Sequence, residues 1–441
     1  MKINEGIKPQ FLIGAINSGS GKTTFTMGIL RVLKKRGMNV QSFKCGPDYI
    51  DTKFHSLATG NESVNLDTWL ASKEHLDYLY HHYGSFADAC VTEGVMGLFD
   101  GYQRMKGSSA EIAMLLNIPV ILIINSKSMA YTVAAQIYGV KHFCPGFNLA
   151  GVIFNQVSSP NHFSFLKEAC DDAGVACLGY LPKSKDLQVP SRHLGLTLGA
   201  QQEMDAQIER AARLVEENID IDQLLSCCSV AFEDRKAESC LEESTFRIAV
   251  AKDASFNFMY RENITQLERL GKVIYFSPLA GDSLPEADLV YLPGGYPELF
   301  AEELYQNKKL MVQLKDFAEK DGRILAECGG MLYLSKSLTD KDGEKQYDMC
   351  DILPLEASMK GARLHLGYRR LMIGDEEWRG HEFHYSDVVD VEALPSVAQQ
   401  FTARGTEVKT PLYRYKNVIA GYTHLYWGEK NILDLWNKKK E

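Results

Sequence analysis

The chain has 441 residues, which at roughly 150 residues per domain points to two or three domains. With 45% hydrophobic and 24% charged residues, 35 Gly and 14 Pro, the composition excludes low-complexity, collagen-like and largely disordered chains. The 48 Lys and Arg against 57 Asp and Glu give a formal net charge of −9, with no basic stripe to follow a nucleic-acid backbone.

The opening MKINEGIKPQ lacks the apolar stretch of a signal peptide, and no run approaches the roughly 18 apolar residues of a membrane span. A cytoplasmic protein that meets neither membrane nor nucleic acid is expected. FLIGAI (Phe11 to Ile16) reads as a buried strand ending in a Gly/Ser turn. TTFTMGILRVLKKRG follows with helical periodicity, its cations Lys34, Lys35 and Arg36 at the end that suits the helix dipole and Gly37 as the stop. NVQSFK, DACVTE, PVILII and LAGVIF are further buried strands separated by helix-length segments. Such alternation predicts a parallel sheet covered on both faces.

From Glu216 to Thr245 the chain turns acidic and weakly periodic, as in a linker with a short helix. FRIAVA, KVIYFS, DLVYLPGG and GRILAECGG then restart the strand-to-turn pattern. No internal repeat has a fixed period. The expected parse is an α/β domain over 1–225, a linker over 226–245 and a second α/β domain over 246–441. The ten cysteines are read as reduced thiols; no C-x-x-C occurs, and Cys227–Cys228 lacks metal-ligand spacing, so no zinc site is expected.

Asn17-Ser18-Gly19-Ser20-Gly21-Lys22-Thr23-Thr24 joins the first strand to the first helix. That context suits a phosphate loop, in which successive backbone N–H groups wrap phosphate oxygens at a helix N-terminus. Lys22 would reach the β- and γ-phosphates and the Thr23 hydroxyl would ligate Mg²⁺. Ile16 stands where the strict pattern has Gly, so the loop is a variant. Asp48 and Asp51 follow the second strand, and Glu93 and Asp100 the third; ligands of open α/β sheets bind beyond these strand ends.

In the second half Cys328 follows an apolar run and precedes two glycines, the pattern of a strand–turn–helix elbow that presents a nucleophile. Gly294 and Gly295, after the preceding strand, could aim N–H groups at an oxyanion. A thiol nucleophile needs a base, and two stretches supply histidines: GHEFHYS (His381, His384) and GYTHLY (His424). Spacing does not choose between them.

The motifs NSGSGKT, FKCGPDYID, EGVMGLFDG, RHLGL, LPGGYPE, AECGGM, GHEFHYS and GYTHLYW, in this order from Phe11 to Trp427, resemble the cobyrinate a,c-diamide synthase family of corrinoid biosynthesis. The resemblance implies an N-terminal P-loop domain similar to dethiobiotin synthetase, with a parallel sheet, and a C-terminal domain like a class I glutamine amidotransferase. Implied co-substrates are ATP and L-glutamine, with Mg²⁺ as cofactor and a corrinoid tetrapyrrole as amide acceptor; a homodimer is an expected assembly. Carried over by motif, Ser18 to Thr24 hold ATP with Asn155 at the adenine edge, and Thr23, Asp48 and Glu93 serve the metal. Asp51, Asp100, Arg192 and His193 serve the transferred phosphoryl or the substrate. Cys328 becomes the nucleophile, His424 the residue that raises its nucleophilicity, and Gly294, Gly295 and Gly329 serve the oxyanion and glutamine. The wider glutaminase pattern is His-x-Glu, but Tyr426 stands at the acid's position, so a dyad or a third group from elsewhere is expected, with Glu382 a candidate. Rival readings are cobyric acid synthase, a nickel-sirohydrochlorin a,c-diamide synthase and a partition-type P-loop switch ATPase.

Overall fold

The computed structural model of the protein describes residues 6–183, 198–233 and 244–437. Arg192 and His193 lie outside them. The described residues fall into two compact units, one ending at 233 and one starting at 244.

The first unit opens with β1 (Ile7–Ala15), α1 (Lys22–Lys35), β2 (Val40–Cys45), α2 (Asp51–Thr59), β3 (Val64–Leu66), α3 (Lys73–Gly84) and β4 (Ala89–Glu93). It continues with α4 (Ser109–Leu115), β5 (Val120–Asn125), α5 (Val133–Phe143), β6 (Leu149–Val157), α6 (Pro160–Ala173) and β7 (Ala176–Pro182). α7 (Leu198–Asn218), α8 (Ile221–Cys227) and β8 (Ser229–Ala231) close it. Seven strands run parallel in the order β3-β2-β4-β1-β5-β6-β7. Phe11, Leu12 and Ile13 are completely buried, as both faces of a covered parallel sheet require. The C-terminal ends of the neighbouring strands β2, β4 and β1 carry Asp48, Glu93 and the Asn17–Gly21 loop.

The stretch expected to link the domains is partly sheet. β8 pairs antiparallel with the start of β1 (Ile7↔Ala231, Pro9↔Ser229), and Gln10 Nε2 donates to the Ala231 carbonyl at 2.7 Å. A three-residue strand among acidic flanks has no periodicity to read, and its partner lies some two hundred residues earlier in the chain. Arg31 on α1 ties down α7 through ion pairs with Asp205, at 2.7 Å, and Glu209.

The second unit begins with β9 (Arg247–Ala251), α9 (Arg261–Leu270), β10 (Lys272–Phe276), β11 (Leu289–Leu292), α10 (Ala301–Gln306), α11 (Lys308–Glu319), β12 (Arg323–Glu327) and α12 (Gly329–Leu334). There follow β13 (Ser337–Thr339), β14 (Gln346–Asp348), β15 (Leu355–Ser358), β16 (His365–Ile373), β17 (Glu376–His384) and β18 (Asp387–Asp390). β19 (Gln399–Thr402), β20 (Glu407–Val408), β21 (Leu412–Tyr415), β22 (Val418–Gly421) and β23 (Thr423–Tyr426) end the strands. The main sheet has the order β10-β9-β11-β12-β22-β21, parallel except for β21. An antiparallel sheet, β20-β19-β16-β17-β23, packs Leu371, Trp378 and Leu425 into one core with Ile248, Val250, Tyr291 and Ile419 of the main sheet. Both units are therefore α/β, and the Cys328 elbow lies at the carboxyl end of β12.

Candidate active site

In the first unit the loop Asn17–Gly21 turns β1 into α1. Gly19 and Gly21 have φ of 77° and 100°, backbone that an L side chain adopts only with strain. Asn155, at the end of β6, braces this loop: its Nδ2 donates to the Ser20 carbonyl at 2.9 Å, and its Oδ1 accepts from the Gln156 N–H at 2.8 Å. Asn155, the residue expected at the adenine edge, thus grips the phosphate loop. Ser20 Oγ donates to the Asn17 side chain at 2.6 Å. Lys22 Nζ donates to the Met96 carbonyl at 2.7 Å, and burial lowers its pKa against the pull of Glu93.

Below the loop, Thr23 Oγ1 donates to Glu93 Oε1 at 2.7 Å and approaches Asp51 Oδ2 at 3.5 Å. Lys44 Nζ lies 2.6 Å from Asp51 Oδ2 and 2.9 Å from Glu93 Oε1, and His55 Nε2 meets Glu93 Oε2 at 2.7 Å. Burial works against charge on Lys44, yet Asp51 and Glu93 outweigh it and raise its pKa above the ordinary lysine range. Burial likewise opposes ionisation of Glu93, but Lys44 and the His55 hydrogen bond hold it below the usual carboxylate range. Asp51 is pushed up to about 6 by burial, with Lys44 opposing.

Two further expected residues have partners close by in their own loops. Asp48 Oδ1 accepts from the Ile50 and Asp51 N–H groups at 2.8 and 2.9 Å, capping the start of α2. Of the two aspartates after β2 it is Asp51, expected at the phosphoryl group or substrate, that approaches Thr23, at 3.5 Å. Asp100 Oδ2 accepts from the Gly97 N–H at 3.0 Å and closes its own turn. Lys44 and His55 were not singled out from sequence; their signal was that both flank the GPDYID motif. Among the described residues no three His, Cys, Asp or Glu side chains form a metal-holding group. Thr23 with Glu93 and Asp51 nonetheless fits Mg²⁺, which takes one or two carboxylates and leaves its other positions to phosphates and water.

In the second unit Cys328 has φ 46° and ψ −105° between β12 and α12. This strained backbone turns the side chain out of the strand, and the Cys328 N–H is anchored to the Gly421 carbonyl at 2.7 Å. Sγ lies 3.8 Å from the Phe383 carbonyl. Burial pushes the thiol above the ordinary cysteine range and Glu298 adds to this, while the Gly329 N–H acts the other way.

His424, on β23, is 1% exposed. Burial lowers its pKa to about 3, with His381 and His384 adding to the effect, so it stands neutral at physiological pH. The Gly294–Gly295 turn sits against the His424 ring and against Gly329, the residue after Cys328: a Cβ on Gly294 would be 2.1 Å from His424 Cε1, and one on Gly329 would be 3.1 Å from the Gly295 nitrogen. The residues that flank them in sequence are bonded to each other, the Leu425 N–H donating to Glu327 Oε1 at 2.8 Å. His384 is engaged elsewhere, stacked on Tyr422 with ring centroids 3.5 Å apart.

Glu382 does not face His424. In the β17–β23 ladder His381 stands opposite His424 and Glu382 opposite Thr423, so the pleat turns Glu382 to the other side of the sheet. There it pairs with Arg369 at 2.5 Å. Tyr426, two residues beyond His424 and on its face, packs edge-on to Tyr260.

Comparison with known proteins is consistent with this two-part layout. Residues 11–196 match the CobQ/CobB/MinD/ParA nucleotide binding domain, and residues 247–432 the CobB/CobQ-like glutamine amidotransferase domain. A cobyrinate a,c-diamide synthase from Caldanaerobacter subterraneus subsp. tengcongensis is 39% identical over 432 residues, 94% of this chain and 94% of the relative. The chain belongs to the cobyrinate a,c-diamide synthase family. The Picrophilus torridus member is 38% identical over 97% of this chain and 96% of its own, and the Listeria innocua member 39% identical over 95% and 96%. As a member of this family the chain carries the nucleotide-binding and amidotransferase parts in one polypeptide. Among the described residues no helix is long and apolar enough to cross a membrane.

Proposed function

We propose that the protein amidates the a and c side-chain carboxylates of cobyrinate or hydrogenobyrinate, using ATP and ammonia drawn from glutamine. The observation that carries this is the pairing, in one chain, of the Thr23–Glu93–Asp51 cluster under a phosphate loop with the Cys328 elbow beside the Gly294-bounded His424. Relatives named cobyrinate a,c-diamide synthase, alike from end to end, favour this over the cobyric acid, nickel-sirohydrochlorin and switch-ATPase readings.

A carboxylate is a poor electrophile. Its oxygen attacks the γ-phosphorus of ATP, ADP leaves, and the acyl phosphate formed can lose phosphate when ammonia adds to the carbonyl. The loop N–H groups and Lys22 hold the phosphates and spread the charge that develops on them. Mg²⁺, held by Thr23, Glu93 and Asp51, would neutralise phosphate charge there. Asp48 and Asp100 hold the two loops in shape, and Asn155 fixes the phosphate loop from below. Arg192 and His193 are assigned to the polycarboxylate substrate, where local cations offset a net charge of −9.

In the second unit neutral His424 accepts the Cys328 proton as sulfur attacks the glutamine amide carbon. N–H groups of the Gly294–Gly295 turn and of Gly329 face the resulting oxyanion. His424 passes that proton to the departing nitrogen, ammonia leaves, and water then releases glutamate from the thioester and restores the thiol.

The test gives the protein cobyrinate, hydrogenobyrinate and nickel-sirohydrochlorin in parallel, with products read by mass spectrometry. Diamide from either cobalamin precursor is expected, and diamide from nickel-sirohydrochlorin alone would overturn the substrate assignment. Cys328→Ala should fail with glutamine yet make diamide from ammonium salt, whereas Glu93→Gln should fail with both.

A further inference from the structure

The strand that carries His424 is an edge. β17 pairs with one side of β23, and among the described residues no strand pairs with the other. A bare edge inside a core would strand backbone polar groups, at roughly 1–3 kcal/mol each. Two side chains take the place of the missing strand. Glu327 Oε1 accepts from the Leu425 N–H at 2.8 Å, and Asn263 Nδ2 donates to the Leu425 carbonyl at 2.8 Å while its Oδ1 accepts from the Trp427 N–H at 2.9 Å.

Glu327 is the less expected of the two. Its second oxygen accepts from the Tyr291 hydroxyl at 2.7 Å, and among the described residues no cation acts on it. Burial raises its pKa to about 8, so a carboxyl group is costly to keep here. Its location accounts for keeping it. It is the residue before Cys328, and the N–H it holds belongs to the residue after His424.

We propose that Glu327 is a positioning residue for glutamine hydrolysis, fixing the His424 strand against the Cys328 elbow as a triad's acid fixes its imidazole directly. The proposal rests on the reading that the second unit hydrolyses glutamine. Tyr426 stands at the acid's usual place and Glu382 on the far face, while Glu327 holds the backbone of the His424 strand through the Leu425 N–H. Tyr291 locks the anchor's rotamer. A displacement of about 1 Å between nucleophile and base costs on the order of 10²-fold in rate, so the loss should appear in kcat and leave glutamine binding intact.

The experiment uses the full chain and measures kcat and KM for glutamine hydrolysis together with diamide synthesis from ammonium salt. Wild type is compared with Cys328→Ala first; hydrolysis that is absent, or that survives in Cys328→Ala, overturns the glutaminase reading itself. Given that control, Glu327→Ala should lower kcat about 10²-fold, hold KM within about threefold and keep ammonia-dependent synthesis. Glu327→Gln retains an acceptor for the Leu425 N–H and can donate to the Tyr291 oxygen, so it should recover kcat to within about fivefold of wild type. Unchanged kcat in Glu327→Ala, a rise confined to KM, or a Gln variant as slow as the Ala variant would each overturn the proposal. Should Glu327→Ala not fold, Glu327→Asp decides, since its shorter reach must lower kcat at unchanged KM; full kcat there overturns the proposal.

Discussion

Gly294 leaves His424 no slack: a Cβ added to the glycine would stand 2.1 Å from the ring's Cε1 and 2.9 Å from Nδ1. Gly294→Ala therefore has to push the imidazole away from its place beside the Cys328 elbow. Glutamine-dependent synthesis should fall on the order of 10²-fold, and the second unit should lose about 1–3 kcal/mol through overpacking. Synthesis from ammonium salt should stay within about twofold, because the phosphorylating residues lie in the first unit. Parallel assays with the two nitrogen sources check this; equal losses in both would mean that the glycine matters for folding alone.

The resting Cys328–His424 pair should be neutral. Burial raises the thiol's pKa and lowers that of His424 to about 3, so both groups are pushed away from a thiolate–imidazolium pair. The sign follows for reactivity: a thiol raised above the ordinary range keeps gaining thiolate as pH rises past that range. Alkylation of Cys328 by iodoacetamide, followed on its own peptide by mass spectrometry, should climb about tenfold per pH unit from pH 6 to 9. A plateau near neutrality would show a preformed ion pair.

Lys44 is the counter-charge of the first unit's cluster. Lys44→Met would leave the fully buried Glu93 without its lysine, a change that costs roughly 3–5 kcal/mol when one partner of a buried pair is removed. Hydrogen exchange of the β2 and β4 amides reports the first unit apart from the second and should speed up accordingly. Adding Glu93→Gln to Lys44→Met should cost less than the two single changes summed, since they share one interaction.

What the sequence discloses follows from which interactions are local. The parallel strands are legible because each is a short apolar run feeding a turn, as in Phe11–Ile16 and Arg323–Glu327. The β16–β17 hairpin is not, since His365-Leu-Gly-Tyr-Arg-Arg-Leu-Met-Ile is mostly half-exposed and lacks clean alternation. Thr23, Glu93 and Cys328 announce themselves by motif. That Asp51 rather than Asp48 meets Thr23 depends on the turn at Ile50, and Lys44 meets Glu93 only because β2 and β4 are neighbours. The failure of Glu382 is a matter of register: a shift of one residue in the β17–β23 ladder would have put it on His424's face.

Gly21 and Asn155 should behave as one unit in ATP binding. A Cβ on Gly21 would lie 2.1 Å from Asn155 Nδ2, so in Gly21→Ala the amide must withdraw and its 2.9 Å bond to the Ser20 carbonyl breaks. The alanine must also hold φ near 100°, which costs about 1–2 kcal/mol. Together these should weaken ATP binding about 10²-fold in calorimetry. Asn155→Ala alone removes only the brace and should weaken it about three- to tenfold, the range of one neutral hydrogen bond. In the Gly21→Ala background the brace is already lost, so adding Asn155→Ala should change the affinity less than about twofold. If the two losses multiply instead, the clash does not act through Asn155, and the strain at Gly21 alone accounts for the damage.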